Sequence, residues 1–136
     1  MRLHEYQSKR ILQSWRVPVA ASGGVAATPA EARTACEALG GSAVLKAQVH
    51  TGGRGKAGGI RMVASPEEAE RVAGEMLGMV LRTHQAPQGV RVAKLLVEEP
   101  LIIAKELYAG LGPDRSIRSN VLIVSAMGGM DIETVA

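Results

Sequence analysis

Apolar positions Tyr6, Ile11, Leu12 and Trp15 recur at near-helical spacing with charges between them. This predicts a short amphipathic helix over residues 4–15, ended by Val17-Pro18-Val19. Residues 20–27 are small and contain glycine, and read as extended. Thr28-Pro29-Ala30-Glu31 then offers an N-cap, a proline at the first helical position and a glutamate at the third, a capping box. A helix from Pro29 to about Leu39 follows, stopped by Gly40-Gly41. Ser65-Pro66-Glu67-Glu68 repeats the device, and the helix after it sets Ala69, Val72, Ala73, Met76 and Leu77 on one face before Gly78 closes it. Between the two helices, residues 43–49 and 59–64 are alternating or rich in β-branched side chains and read as strands. Residues 90–99 and 102–111 read as strands around Pro100, and 119–126 as a third, with Gly112-Pro113-Asp114 and Gly128-Gly129 as turns. The expected fold is α+β, a mixed and largely antiparallel sheet with flanking helices. Residues 131–136 begin like a new element and stop without a cap or polar tail, which reads as a truncated single domain over residues 1–136.

The two central strands are joined by the most informative stretch of the chain. Five glycines fall within residues 52–59, with Arg54 and Lys56 among them. Glycine admits positive φ and lets backbone N–H groups approach an anion, and the two cations supply charge of the matching sign. The P-loop pattern fails, because the position five before Gly55 is His50 and Lys56 is followed by Ala57. A dinucleotide fingerprint matches as text at Gly53, Gly55 and Gly58, but a strand-like run follows it where a helix should open. A flap that folds over phosphates, or a plain solvated loop, both fit what is left. Lys46 favours the flap: in the preceding strand Leu45, Ala47 and Val49 point one way and Lys46, Gln48 and His50 the other, so a cation can reach a phosphate placed beneath.

A second stretch, LLVEEPLIIAKELY over residues 95–108, places Glu98 and Glu99 after an apolar strand and Glu106 on the next one. Carboxylates there can accept hydrogen bonds from ribose hydroxyls, or can be surface charges on a hairpin.

Composition and charge narrow the alternatives. The core must be Ala, Val, Leu, Ile and Met, since there is no Phe, one Trp and two Tyr. The formal charge is +3 with both signs interspersed, which is not the profile of a dedicated nucleic-acid binder. Such modules pair arginine and glycine with aromatic stacking platforms, and Trp15, Tyr6 and Tyr108 are far in sequence from the loop. The single cysteine, Cys36, rules out a disulfide framework within the chain and reads as a small buried thiol. His4, His50 and His84 form no ligand spacing for a metal. With no apolar segment after Met1 and no run of about 18 apolar residues, the chain reads as soluble and cytoplasmic.

Taken together, LHEYQSK (residues 3–9), LKAQVHTGGRGKAGGI (45–60), LLVEEPLIIAKELYAG (95–110) and GGMDIETVA (128–136) resemble the N-terminal part of the β subunit of succinyl-CoA synthetase, the ADP-forming succinate–CoA ligase. The resemblance implies an ATP-grasp fold, with ATP or ADP as substrate. It also implies a partner α subunit that carries a phosphohistidine and the CoA site, with succinate and CoA as the other substrates. By position it places Lys46 on the nucleotide phosphates, Gly53, Arg54 and Gly55 in the flap over them, and Glu98, the backbone near Leu101, and Glu106 on the adenine edge and ribose. The Mg2+ ligands of the family would lie beyond residue 136, and no covalent role falls to any residue present. The chain departs from the family at Arg16, where a glycine often follows the first helix, at Ala20, where base choice is often linked, and at Met127, usually Glu. Malate–CoA ligase β subunits share these motifs, so the acid stays open between succinate and malate. A phosphate- or RNA-binding glycine-rich module and a folded, inactive remnant are the readings from other classes.

Overall fold

The computed structural model describes residues 2–128, which divide between Leu101 and Ile102 into two compact units. In the first, α1 (Glu5–Ser14), β1 (Ser22–Ala26), α2 (Pro29–Ala38), β2 (Ala43–Ala47), β3 (Ile60–Val63), α3 (Pro66–Met76), β4 (Val80–Thr83), β5 (Ala86–Arg91) and β6 (Leu95–Glu98) follow in order. The described residues of the second form a hairpin, β7 (Tyr108–Asp114) paired antiparallel with β8 (Ser119–Ser125).

Both predicted proline-led helix starts are present. Thr28 Oγ1 accepts from the Glu31 N–H at 3.2 Å while Glu31 Oε2 takes the N–H of Ala27 and Thr28, a reciprocal capping box. Ser65 Oγ accepts from the Glu68 N–H at 3.1 Å. Arg16, just past α1, has φ +59°, the left-handed region that glycine enters without strain. That conformation gives the physical reason a glycine suits this position.

The main sheet has the order β1-β6-β2-β3, with every neighbouring pair antiparallel. The last strand of the unit is thus inserted between the first two, and all four residues of β6 are buried. One face of the sheet carries α2 and α3. There Leu45, Leu95, Val97 and Val63 meet Ala32, Ala35, Cys36, Ala69, Val72, Ala73 and Met76 in one core. Alanines dominate it, so the helices lie close to the strands and no aromatic volume is needed to fill the space. Gly23 marks the closest approach, where a Cβ would collide with the backbone of Ala35. Cys36 is free and buried.

The structure corrects three local expectations. Residues 90–99 do not form one strand: β5 ends at Arg91 and β6 begins at Leu95, and β4 with the start of β5 forms a separate hairpin ahead of residue 90, where no strand is expected. Val80, Pro87 and Gly89 break the alternation that would have signalled it. Residues 102–107 have no helix or strand, so Glu106 is not on a strand, and the β7 strand runs through Gly112-Pro113-Asp114 instead of turning there. The expected turn at Gly129 and the element over residues 131–136 lie outside the described residues.

Candidate functional site

The second face of the main sheet is polar at its centre. In β2 the alternation is regular, with Ala43, Leu45 and Ala47 buried toward the helices and Val44 and Lys46 turned the other way. Cross-strand pairing sets Lys46 opposite Leu96 and Val44 opposite Glu98, so Lys46 and Glu98 stand on the same face, one diagonal step apart. Helix α1 lies over this face. It is tied down by Tyr6, whose N–H donates to Gln48 Oε1 at 3.2 Å, and by two of its charged residues. Gln48, expected to share the open face with Lys46, is instead buried as the anchor of this helix, its Nε2 donating to the Lys46 carbonyl at 3.0 Å.

Five charges converge there. Glu98, 1% exposed, receives Lys46 Nζ on Oε2 at 2.7 Å and Lys9 Nζ on both oxygens, at 2.5 and 2.6 Å. Glu5 receives Lys46 and Lys9 on Oε1, each at 3.2 Å, and Arg54 on Oε2 at 2.7 Å. Three cations face two carboxylates, which leaves the cluster with a net charge of +1. Burial pushes the Glu5 carboxyl up, but the hydrogen bond from Arg54 and the charges of Lys46, Arg54 and Lys9 outweigh it and hold its pKa down at about 2. Burial likewise lowers the Lys46 ammonium, and its bond to Glu98 with the charges of Glu5 and Glu98 reverse the sign, so its pKa lies above the ordinary lysine value.

The glycine loop reaches the cluster through Arg54. Its guanidinium turns back under the loop, donating from one nitrogen to the Ala47 carbonyl at 2.8 Å and from the other to Glu5. The loop is a series of tight turns, closed by Gly59 N–H to the Arg54 carbonyl at 2.8 Å and Ala57 N–H to the Gly53 carbonyl at 3.3 Å. Gly53 and Gly58 take positive φ, +71° and +77°, which these turns require. Its leading edge is fixed to the turn between β4 and β5: Thr51 Oγ1 meets Thr83 Oγ1 at 2.6 Å, and the Gly52 N–H donates to Gln85 Oε1 at 2.8 Å.

Of the residues expected at a nucleotide, Lys46, Arg54 and Glu98 are brought together, and Gly53 and Gly55 lie in the loop that carries Arg54. Leu101 is the exposed last residue of the first unit. Glu106 is an exposed residue of the second unit, its carbonyl accepting the Gly128 N–H at 3.1 Å. Glu99 serves the backbone instead, its Oε1 accepting the Ala21 N–H at 2.7 Å and fixing the entry to β1. The residues that sequence reasoning missed are Glu5 and Lys9. Their i, i+4 spacing on α1 is the available signal, but nothing local shows that the pair closes on β2 and β6.

Two hollows border the cluster. One, of about 250 Å³, lies between α1 and the β1–β6 edge and is lined by Tyr6, Lys9, Gln13, Ala20, Leu96 and Glu98, among others. The other, of about 520 Å³, opens beside Arg54, with Arg2, His50, Thr51 and Gly52 on its wall. His50 stacks on His4 with ring centroids 3.9 Å apart, and burial, then the charges of His50, Lys94 and Arg54, hold His4 below the ordinary histidine range. Among the described residues there is no group of three or more His, Cys, Asp or Glu side chains that could hold a metal ion. No helix among them is long and apolar enough to cross a membrane.

Residues 2–136 match the family described as ATP-grasp domain. The chain belongs to the ATP-grasp family. Its similarity to curated relatives runs through the whole 136 residues. It is 54% identical over 138 residues to the succinate–CoA ligase [ADP-forming] subunit beta of Desulforapulum autotrophicum, covering 100% of this chain and 36% of that protein. The protein of the same name from Chlorobium phaeobacteroides is 52% identical over 142 residues, with the same coverage. That from Roseiflexus sp. is 49% identical over 136 residues, covering 100% of this chain and 34% of the relative. This ATP-grasp chain therefore spans about a third of the length of the curated relatives it matches.

Proposed function

We propose that this chain forms the first part of the nucleotide site in the β subunit of an acid–CoA ligase, one that couples ATP and ADP interconversion to succinate + CoA ⇌ succinyl-CoA in the citric acid cycle. The observation that carries this reading is the convergence of Lys46 and the loop residue Arg54 on one face of an ATP-grasp sheet. Phosphoryl transfer asks the protein mainly for position and charge neutralisation, and a strand ammonium beside a loop guanidinium supplies both. In this reading Lys46 meets the phosphates, and Gly53, Arg54 and Gly55 close over them with backbone N–H groups and one guanidinium. Glu98 and the backbone at Leu101 hold the base edge and ribose. Both compact units then belong to one partial ATP-grasp domain. The pairing of Lys46 with Glu98 serves it by fixing the ammonium on the polar face of β2.

The names of the relatives support an acid–CoA ligase and, through the word subunit, a partner chain. The phosphohistidine and the CoA site are assigned to that α subunit, the Mg2+ ligands to β-subunit sequence outside these residues, and the heteromer to the cytoplasm, with neither nucleic acid nor membrane as a partner. Titration of the chain with ATP, followed by calorimetry, tests the site. Saturable binding that weakens at least tenfold in Lys46→Ala and in Arg54→Ala is expected. No ATP affinity, or equal affinity in the variants, would overturn the assignment.

A further inference from the structure

Lys46 comes from a strand and Arg54 from a loop held in tight turns, yet both point at the same small volume. The group between them is Glu5. Its Oε1 faces Lys46 and its Oε2 faces Arg54, at 3.2 and 2.7 Å, and Lys9 on the next turn of α1 closes the Oε1 side at 3.2 Å. All four side chains are 20–23% exposed, so the bridge is partly desolvated and its geometry is held more firmly than in a surface pair. Two like charges placed this close need a bridging anion to stay together. The second carboxylate of the cluster, Glu98, pairs with Lys46 and Lys9, so the link from strand to loop runs through Glu5.

We propose that Glu5 is a positioning residue of the nucleotide site, a built-in counter-anion that holds Lys46 and Arg54 together to receive a phosphate group. The inference rests on the nucleotide reading given above. Glu5 works by preorganisation. An ordered lysine and arginine do not have to lose their rotamer freedom when the ligand arrives, and the cost avoided is that of two long side chains. The opposite possibility follows from charge alone. Removing Glu5 raises the cluster from +1 to +2, and if Glu5 were only a competitor for the cations, its loss would tighten binding of a polyanion. The sign of the effect therefore separates a positioning residue from an internal competitor.

A thermodynamic cycle on ATP affinity in the full chain decides it, with unsubstituted protein, Glu5→Gln, Arg54→Ala and the double variant. Glu5→Gln is expected to weaken ATP binding about tenfold, the equivalent of ordering two side chains. In the Arg54→Ala background the same change should weaken it less than twofold, because the bridge has lost one end. A purely structural role would give equal losses in both backgrounds, and either that result or tighter binding by Glu5→Gln overturns the inference. If Lys46→Ala and Arg54→Ala weaken ATP while Glu5→Gln does not, this inference fails and the site stands. If the unsubstituted chain does not bind ATP, the site fails and the inference with it. Should Glu5→Gln not fold, the 13Cδ resonance of Glu5 in the unsubstituted chain answers the same question. It stays in place on saturation with ATP if Glu5 keeps its cations, and a move to the position of a free carboxylate overturns the proposal.

Discussion

Glu98→Gln tests the charge cluster as a stabilising unit. The side chain is 1% exposed, and its two oxygens hold Lys9 and Lys46 at 2.5 to 2.7 Å. Glutamine keeps the shape and one acceptor but removes the charge, leaving two ammonium groups over a buried amide. Removing one partner of a buried ion pair costs about 3–5 kcal/mol when the other is left dry. Here Lys9 and Lys46 are each 23% exposed and keep Glu5 at 3.2 Å, so part of the cost is recovered by water and by that second carboxylate. We expect a loss of about 2–3 kcal/mol, at and below the lower end of that range. For a unit of this size each kcal/mol moves Tm by about 4–8 °C, so a fall of roughly 10–20 °C follows. Urea unfolding monitored by circular dichroism should show a lower midpoint with an unchanged slope. Arg71→Ala, which removes a pair whose partners are 62% and 47% exposed, is the internal standard and should cost under about 1 kcal/mol. Equal small losses for both variants would refute the reasoning, since they would mean that the buried carboxylate contributes no more than a surface one.

Three further outcomes are expected. The Glu5 pKa is lowered from the ordinary 4.5 to about 2, so its stabilisation is complete above pH 4.5 and is lost as the pH falls through that window; Glu5→Gln should flatten this limb of a pH-dependent unfolding series, which is worth on the order of 3 kcal/mol. Arg16→Gly should stabilise the fold by up to about 1 kcal/mol, read as a higher urea midpoint, because glycine accepts φ +59° without the clash an L side chain meets there; a loss of stability would contradict it. Gly23→Ala should destabilise by about 2 kcal/mol or more, since its Cβ would run into the Ala35 backbone and α2 would have to lift from β1, and near-wild-type stability would show that the helix has room to move.

Much of the fold was legible where local rules act alone. The two proline-led capping sequences placed α2 and α3, and alternation placed β2 and β3, because caps and period-two burial are written in consecutive residues. The β4–β5 hairpin was hidden by short, proline- and glycine-broken strands. The insertion of β6 between β1 and β2 pairs Ser22 and Val44 with Glu98 and Ala26 and Ala47 with Leu95, and no local window along the chain contains such pairs. The same division holds at the site. Lys46 and Arg54 stood out through strand parity and loop chemistry, and Glu98 through its place at the end of an apolar strand. That Glu98 is buried against two lysines, and that Glu5 joins strand to loop, depends on α1 crossing the sheet. The resemblance of LHEYQSK to a family motif marked this helix as specific without giving a role to its glutamate.

The central claim is that the basic loop and the strand lysine together receive the phosphates of ATP. Amide and side-chain chemical shifts of the full chain, followed through an ATP titration, test it most directly. The account predicts saturable shifts centred on the Lys46 ammonium, the Arg54 guanidinium and the N–H groups of residues 53–55, with Glu98 following. Shifts that centre elsewhere on the chain while these groups stay still would contradict it.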